Sequence, residues 1–270
     1  MSINVGSFGF SITHIIFFAA CAVALLLASL LGRKRKLPIA DAVFRVLAVT
    51  LIVARFSFVI RYYDLYLASP WQILNVRDGG FDFWVGIAAG TFMLIWEVLR
   101  RRPLLIPLAI ASFAGLFVYV GLDYYQQQRS TEPRLPMVQV QALTGETMQL
   151  AEAFQGQDLI VNMWATWCPP CVREMPLLEE AEARWQDITV VTVNQGENAA
   201  AVTQFFAEQN IQLTHVLLDP NSALSTAVES YVLPTTLFFD HQGRLVDSHV
   251  GEFSSARLYQ GVERIRAARE

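Results

Sequence analysis

The chain of 270 residues is 54% hydrophobic with a mean hydropathy of +0.37, high for a globular protein, so membrane segments are predicted at once. Charge is divided: the residues up to Pro136 carry 13 Lys and Arg against 7 Asp and Glu, and the rest carry 7 against 17, with no lysine. An acidic second half excludes nucleic acid as a partner, because that needs a basic patch, and three cysteines are too few for a disulfide scaffold.

From Met1 to Gly32 there is no Asp, Glu, Lys or Arg, and then comes Gly32-Arg-Lys-Arg-Lys36. A signal peptide carries its positive charge before the apolar stretch. The reversed order predicts a retained membrane helix with its N-terminus outside. Leu37 to Ile60 is predicted as a second span, interrupted by Asp41, Arg45 and Arg55; Phe81 to Leu99 as a third, closing on Arg100-Arg-Arg102; and Pro103 to Leu122 as a fourth, uncharged throughout. Each is close to the ~20 residues that cross a bilayer. Positive charge in short loops stays cytoplasmic. Both basic clusters fall where an N-out, four-helix layout puts the inside, so the chain is expected back outside at Asp123. The expected organisation is a four-helix transmembrane domain over 1–122, a polar, proline-flanked linker over 123–136, and a second domain over 137–270.

Arg45 and Arg55 each have two readings: a headgroup or substrate site, or snorkelling and helix pairing. His14 and Cys21 are assigned to helix packing. Gly86-Ile-Ala-Ala-Gly90 has the small-xxx-small spacing that lets another helix approach closely. Pro70-Trp-Gln-Ile-Leu-Asn-Val-Arg-Asp-Gly-Gly80 and the glycine-bearing helix after it resemble part of bacterial prolipoprotein diacylglyceryl transferase. The Gly-Arg-x-x-Asn-Phe signature of that family is absent, and Phe81-Asp-Phe-Trp84 stands where its histidine is expected. The resemblance therefore implies a truncated, non-catalytic relative.

In the second half, Leu159 to Ala165 is a short apolar run consistent with a buried parallel strand. It leads into Trp167-Cys-Pro-Pro-Cys171. Pro169 and Pro170 suit the first turn of a helix, predicted to run on to Trp185 with a kink at Pro176. Strands at Ile188–Val193 and His215–Asp219 alternate with helices at Asn198–Gln209 and Ser222–Ser230. Pro234–Asp240 and Arg244–Val250 read as strands around the turn His241-Gln-Gly243, and Ser254 onward as an amphipathic helix. Strands alternating with helices indicate an α/β sheet.

A thiolate attacks a disulfide, and a cysteine at a helix N-terminus gains thiolate character from the free N–H groups and the dipole. Cys168 has that position and is the candidate nucleophile. Cys171, one turn on, resolves the mixed disulfide. Glu174, three residues further on the same helical face, is either a proton acceptor for Cys171 or an ordinary solvated charge. Trp164 is predicted as core and Trp167 as the rim of a docking groove. A zinc site is the rival reading, but zinc needs four ligands, and His215, His241 and His249 show no ligand spacing.

The order of the Cys-Pro-Pro-Cys motif, a helix bearing Pro176, and Val232-Leu-Pro-Thr-Thr236 before two hairpin strands resembles the TlpA-like thioredoxin-fold group of membrane-anchored periplasmic thiol-disulfide oxidoreductases. The resemblance covers nearly all of 137–270. It implies a cis Pro234 against the two sulfurs, shaping the groove, and an acidic residue with a role at Glu174. Asn162 stands where thioredoxin carries a buried Asp, and its presence is usual in this group.

The expected fold is thus an α-helical membrane bundle followed by an α/β thioredoxin-fold domain. The expected activity is reduction of disulfides in exported proteins, with no cofactor. The alternatives are an oxidase or isomerase of the same fold, a diacylglyceryl transferase-like enzyme with a redox appendage, and a non-catalytic binding module. The expected location is the bacterial inner membrane with the redox domain in the periplasm. Cys21 alone cannot run a dithiol relay, so a transmembrane thiol donor of the DsbD or CcdA kind is implied.

Overall fold

The computed structural model describes residues 2–5, 8–35, 39–67, 73, 79–129 and 134–269, and the chain forms two compact units. One consists of 12–74 and 80–131; the other of 1–11, 75–79 and 132–270.

The first unit is helical: α1 (Ile12–Arg35), α2 (Ile39–Arg61), a short α3 (Tyr63–Leu67), α4 (Phe83–Arg100), a 3-10 turn (Arg102–Leu104) and α5 (Leu105–Arg129). Among the described residues, Ile39–Arg61, Phe83–Arg100 and Arg102–Leu122 are each long and apolar enough to cross a membrane, and α1 has an apolar stretch at Ala19–Leu31. α1 packs on α5 and α2 on α4. Small and branched side chains fill the core (Ala28, Ile39, Ala42, Leu104, Leu108, Ala111), while Phe44, Phe56, Trp84, Phe92 and Phe113 are exposed, as lipid-facing residues are. The glycine pair in α4 faces α2 of the same chain: a Cβ on Gly86 would lie 2.9 Å from Ala54 Cβ, and one on Gly90 only 2.2 Å from Thr50 Oγ1.

Two expectations for this unit are corrected. Residues 2–5 and 8–11 are not the start of the first span but two antiparallel strands, β1 (Ser2–Val5) and β2 (Phe8–Ser11), grouped with the other unit. Gly6 and Gly9 break the apolar pattern there. The expected linker is helical to Arg129, because no glycine or proline interrupts Asp123–Arg129; residues 130–133 of it lie outside the described residues.

Two arginines of α2 find partners within this unit. Arg45 Nε donates to Glu97 Oε1 at 2.7 Å, joining α2 to α4. A charge in hydrocarbon is stabilised by such a partner. Arg55 is buried. It donates to the Ile73 carbonyl (3.0 and 3.2 Å) and the Gly80 carbonyl (2.8 Å), and sits over the rings of Phe58, Tyr66 and Phe81. Both arginines therefore hold helices and a loop together. Apart from Ile73, Gly79 and Gly80, the stretch Pro70–Gly80 lies outside the described residues, as does the His14 side chain.

The second unit has β3 (Gln139–Ala142), β4 (Thr147–Gln149), α6 (Leu150–Ala153), β5 (Leu159–Trp164), α7 (Pro169–Arg184), β6 (Thr189–Gln195), α8 (Ala199–Gln209), β7 (His215–Asp219), α9 (Ala223–Ala227), β8 (Thr235–Phe239), β9 (Leu245–Val250) and α10 (Ser255–Ala267). Seven strands form one mixed sheet in the order β4-β3-β7-β6-β5-β8-β9. β5, β6 and β7 are parallel; β8 is antiparallel to β5, and β9 to β8. The central strand β5 is buried on both faces. Leu159, Val161 and Met163 enter one hydrophobic cluster, while Ile160 and Trp164 enter the other, with α7 and α10. Asn162 alternates in step with Ile160 and Trp164, so it lies on the α7 side.

Candidate active site

Three loops meet at one end of the sheet. The register pairs Trp164 with Asn194 and Met163 with Thr235, so the ends of β5 and β6 and the start of β8 lie side by side. The carboxyl ends of parallel strands are where α/β sheets collect sites. Here they gather Trp167 and Cys168, then Glu197, then Tyr231 to Pro234.

Cys168 is the N-cap of α7. Its backbone is extended (φ −99°, ψ 100°), Pro169 and Pro170 occupy the first turn, and its Sγ accepts the Cys171 N–H at 3.4 Å. A proline pair leaves two fewer unpaired N–H groups in that turn, so the Cys171 amide is the first available to the sulfur. Cys168 and Cys171 are joined as a disulfide with Cα atoms 5.3 Å apart. Cys168 is 4% exposed and Cys171 fully buried, so only the first of the two residues has any surface in solvent. α7 runs unbroken through Pro176, burying Cys171, Glu174, Met175, Leu178 and Ala181 along one stripe.

Glu174 is fully buried rather than a solvated charge. Asn162 Nδ2 donates to its Oε1 at 2.7 Å and to Thr236 Oγ1 at 3.0 Å. Oε2 makes no hydrogen bond of normal geometry among the described residues. Burial pushes the Glu174 carboxyl well above the usual carboxylate range, outweighing the opposite pull of Asn162 and of the Phe253 amide. The helix thus brings a carboxyl group beside Asn162, the strand position at which thioredoxin itself carries an Asp.

The Leu233–Pro234 bond is cis and Pro234 is buried. Leu233 packs against the cluster containing both cysteines. Thr235 Oγ1 donates to the Val232 carbonyl at 2.7 Å and pairs with Ser230 Oγ at 3.0 Å, which braces this loop. Trp167 is 68% exposed and Tyr231 59% exposed, whereas Trp164 is fully buried against Phe205 and Phe206. Among the described residues no cluster of His, Cys, Asp and Glu could hold a metal ion.

Sequence reasoning missed Thr236 and Glu197. Glu197 Oε2 accepts the Thr166 N–H and Asn194 Nδ2, each at 2.7 Å, and its Oε1 accepts the Thr166 hydroxyl at 2.5 Å. The signal was a carboxylate directly after Gly196, at the end of the strand parallel to β5.

Residues 131–262 match the Redoxin family model, and residues 1–124 match the prolipoprotein diacylglyceryl transferase model. The chain is 29% identical over 154 residues to thioredoxin-like protein YneN of Bacillus subtilis, covering 54% of this chain and 89% of that one. It is also 29% identical over 166 residues to thiol-disulfide oxidoreductase ResA of Halalkalibacterium halodurans, covering 58% and 93%. Among solved structures, a putative thiol:disulfide interchange protein DsbE from Chlorobium tepidum superposes with a TM-score of 0.45 at 24% identity, covering 52% of this chain and 97% of that one.

Proposed function

From a chain with a Redoxin domain in its second half and a membrane half matching the diacylglyceryl transferase family, we propose a membrane-anchored thiol-disulfide oxidoreductase that reduces disulfides of exported proteins. The observation that carries this is Cys168 Sγ held as the N-cap of α7 by the Cys171 N–H, with the buried Glu174 carboxyl on the same helix stripe.

In the reduced protein the Cys168 thiolate attacks one sulfur of the substrate disulfide and expels the other as a thiolate, leaving a mixed disulfide. The Cys171 thiol gives its proton to the Glu174 carboxylate and attacks Cys168 Sγ. This closes the Cys168–Cys171 bond and releases the second substrate thiolate, to which Glu174 gives up the proton it took from Cys171. Two electrons pass to the substrate. A buried carboxyl with a raised pKa is better matched to a thiol proton than a solvated one. Trp167 and the loop ending at Pro234 flank the docking groove. Electrons return from a transmembrane dithiol donor of the DsbD or CcdA kind.

The redox domain acts on the periplasmic side of the bacterial inner membrane. The basic clusters at Arg33–Lys36 and Arg100–Arg102 support this by the positive-inside rule. The grouping of residues 2–5 and 8–11 with 134–269 in one compact unit calls for an even number of crossings between them, the number the four-helix layout expects. The membrane half serves as anchor, since the Gly-Arg-x-x-Asn-Phe signature is absent.

Purified protein is expected to reduce insulin in the presence of a dithiol, and Cys168→Ser to abolish this. Cys171→Ala is expected to trap substrates as mixed disulfides. Insulin reduction undiminished in Cys168→Ser would end the proposal.

A further inference from the structure

The turn that delivers the nucleophile is held by a residue outside the motif. The Cys168 N–H bonds the Ala165 carbonyl at 3.2 Å, closing a turn with Thr166 and Trp167 at its centre. The Thr166 N–H points out of that turn and needs an external acceptor. Glu197 supplies it, taking both the N–H (2.7 Å) and the hydroxyl (2.5 Å) of Thr166 on its two oxygens. Glu197 is itself fixed: Asn194 Nδ2 donates to it at 2.7 Å, and Asn194 Oδ1 takes the Glu197 N–H at 3.3 Å. Gly196, at φ +81°, makes the turn that lets the chain leave β6 and bring this carboxylate back over the end of β5. Three donors converge on one carboxylate, and such charge-assisted bonds are about twice as strong as neutral ones.

We propose that Glu197 is a positioning residue of the redox site: it locks the turn Ala165–Cys168 so that Cys168 Sγ stays at the N-cap of α7 when the disulfide opens. While the disulfide is closed, the S–S bond itself tethers Cys168. Once it opens, that tether is gone and the Thr166–Glu197 clamp remains. The thiolate keeps the Cys171 N–H and the helix dipole only if the turn holds. Glu197 touches no reacting atom and acts through Thr166.

This rests on Cys168 being the nucleophile, and the experiment separates the two claims. The full-length Cys171→Ala protein in detergent, reduced, is alkylated with iodoacetamide across a pH series, and labelling of Cys168 is followed by peptide mass spectrometry. Glu197→Gln and Thr166→Val are each expected to slow labelling about fivefold below the thiol midpoint and to move that midpoint upward, as the loss of one net hydrogen bond implies. Thr166→Ser, which keeps the hydroxyl, should restore the parent profile. The two substitutions combined should cost no more than Glu197→Gln alone, because they remove one shared interaction. A midpoint unchanged in both variants overturns the assignment. So does a midpoint lowered by Glu197→Gln, which is the effect of deleting a nearby negative charge and nothing else. If Glu197→Gln does not fold, Thr166→Val decides alone, since the carboxylate and its charge stay in place. A Cys168 that never labels in the Thr166, Glu197 parent would instead overturn the nucleophile assignment.

Discussion

Glu174 is the residue where folding and chemistry pull apart. A carboxyl group with no solvent, and with too little help from Asn162 and the Phe253 amide to offset its burial, is held protonated far more readily in the folded chain than in the unfolded one. Its folded pKa lies above its unfolded value near 4.5, so the native state binds the extra proton in the interval between them. Its contribution to stability is therefore fully present below the unfolded pKa and is lost as pH rises through the folded one. Thermal unfolding of the oxidised protein should show a midpoint that falls across that window, and Glu174→Gln should flatten the fall. A pH profile identical in the two proteins would mean the carboxyl is not buried as described. The same substitution removes the proton acceptor, so mixed disulfides should resolve more slowly at pH above the folded-state pKa of Glu174, where the carboxylate is present, while the first attack by Cys168 is unaffected. How this site could be read from sequence depends on spacing. Cys168, Cys171 and Glu174 fall on one helix at three-residue intervals, so local periodicity brings them together. Thr166 and Glu197 are 31 positions apart, and Asn162 and Thr236 are 74 apart, so only the parallel and antiparallel pairing of the sheet joins them.

Elements approach one another most closely at glycines, and there helix propensity and packing disagree. Gly261 sits inside α10, where alanine would favour the helix by roughly 1 kcal/mol. A Cβ there would lie 2.2 Å from Phe238 Cε1, on a ring that is 1% exposed. Overpacking of a buried site costs about 1–3 kcal/mol, so packing wins and Gly261→Ala is expected to lower the thermal midpoint of the oxidised protein. In the membrane half, Gly90→Leu should weaken the α2–α4 contact through the clash with Thr50, and Thr50→Ala should recover part of the loss, read as thermal unfolding in detergent. An additive double mutant would show that the two residues do not meet. The long apolar runs and the alternation of strand and helix from β5 onward are legible because each repeats its period several times. β3 and β4 are three or four residues long, polar on one side and completed only by β7, so no local period marks them. The pair of strands Ser2–Val5 and Phe8–Ser11 is not legible because they carry no charge to set them apart from the apolar helix they precede.

For the whole molecule, a periplasmic reductase of the kind proposed needs electrons delivered to a dithiol on the far side of a bilayer. An oxidising compartment drives any solvent-reachable dithiol towards the disulfide. A reductase there must be recharged continually, and two electrons require two thiols at each relay point. The first 122 residues hold one cysteine, Cys21 within α1, which cannot run a dithiol relay by itself. On the proposed reductase reading, the donor is another membrane protein whose own dithiol reaches the Cys168 end of the sheet, where Trp167 and Tyr231 are exposed. In cells with that donor, a membrane-impermeant maleimide should label Cys168 without permeabilisation, and deleting the donor should abolish labelling because the pair accumulates as the disulfide. Tyr231→Ala should slow recharging by the donor while leaving reduction of the purified protein by a small dithiol unchanged. If Cys168 stays reduced and labelled after loss of every such donor, the direction of electron flow is the reverse, and the domain forms disulfides rather than opening them.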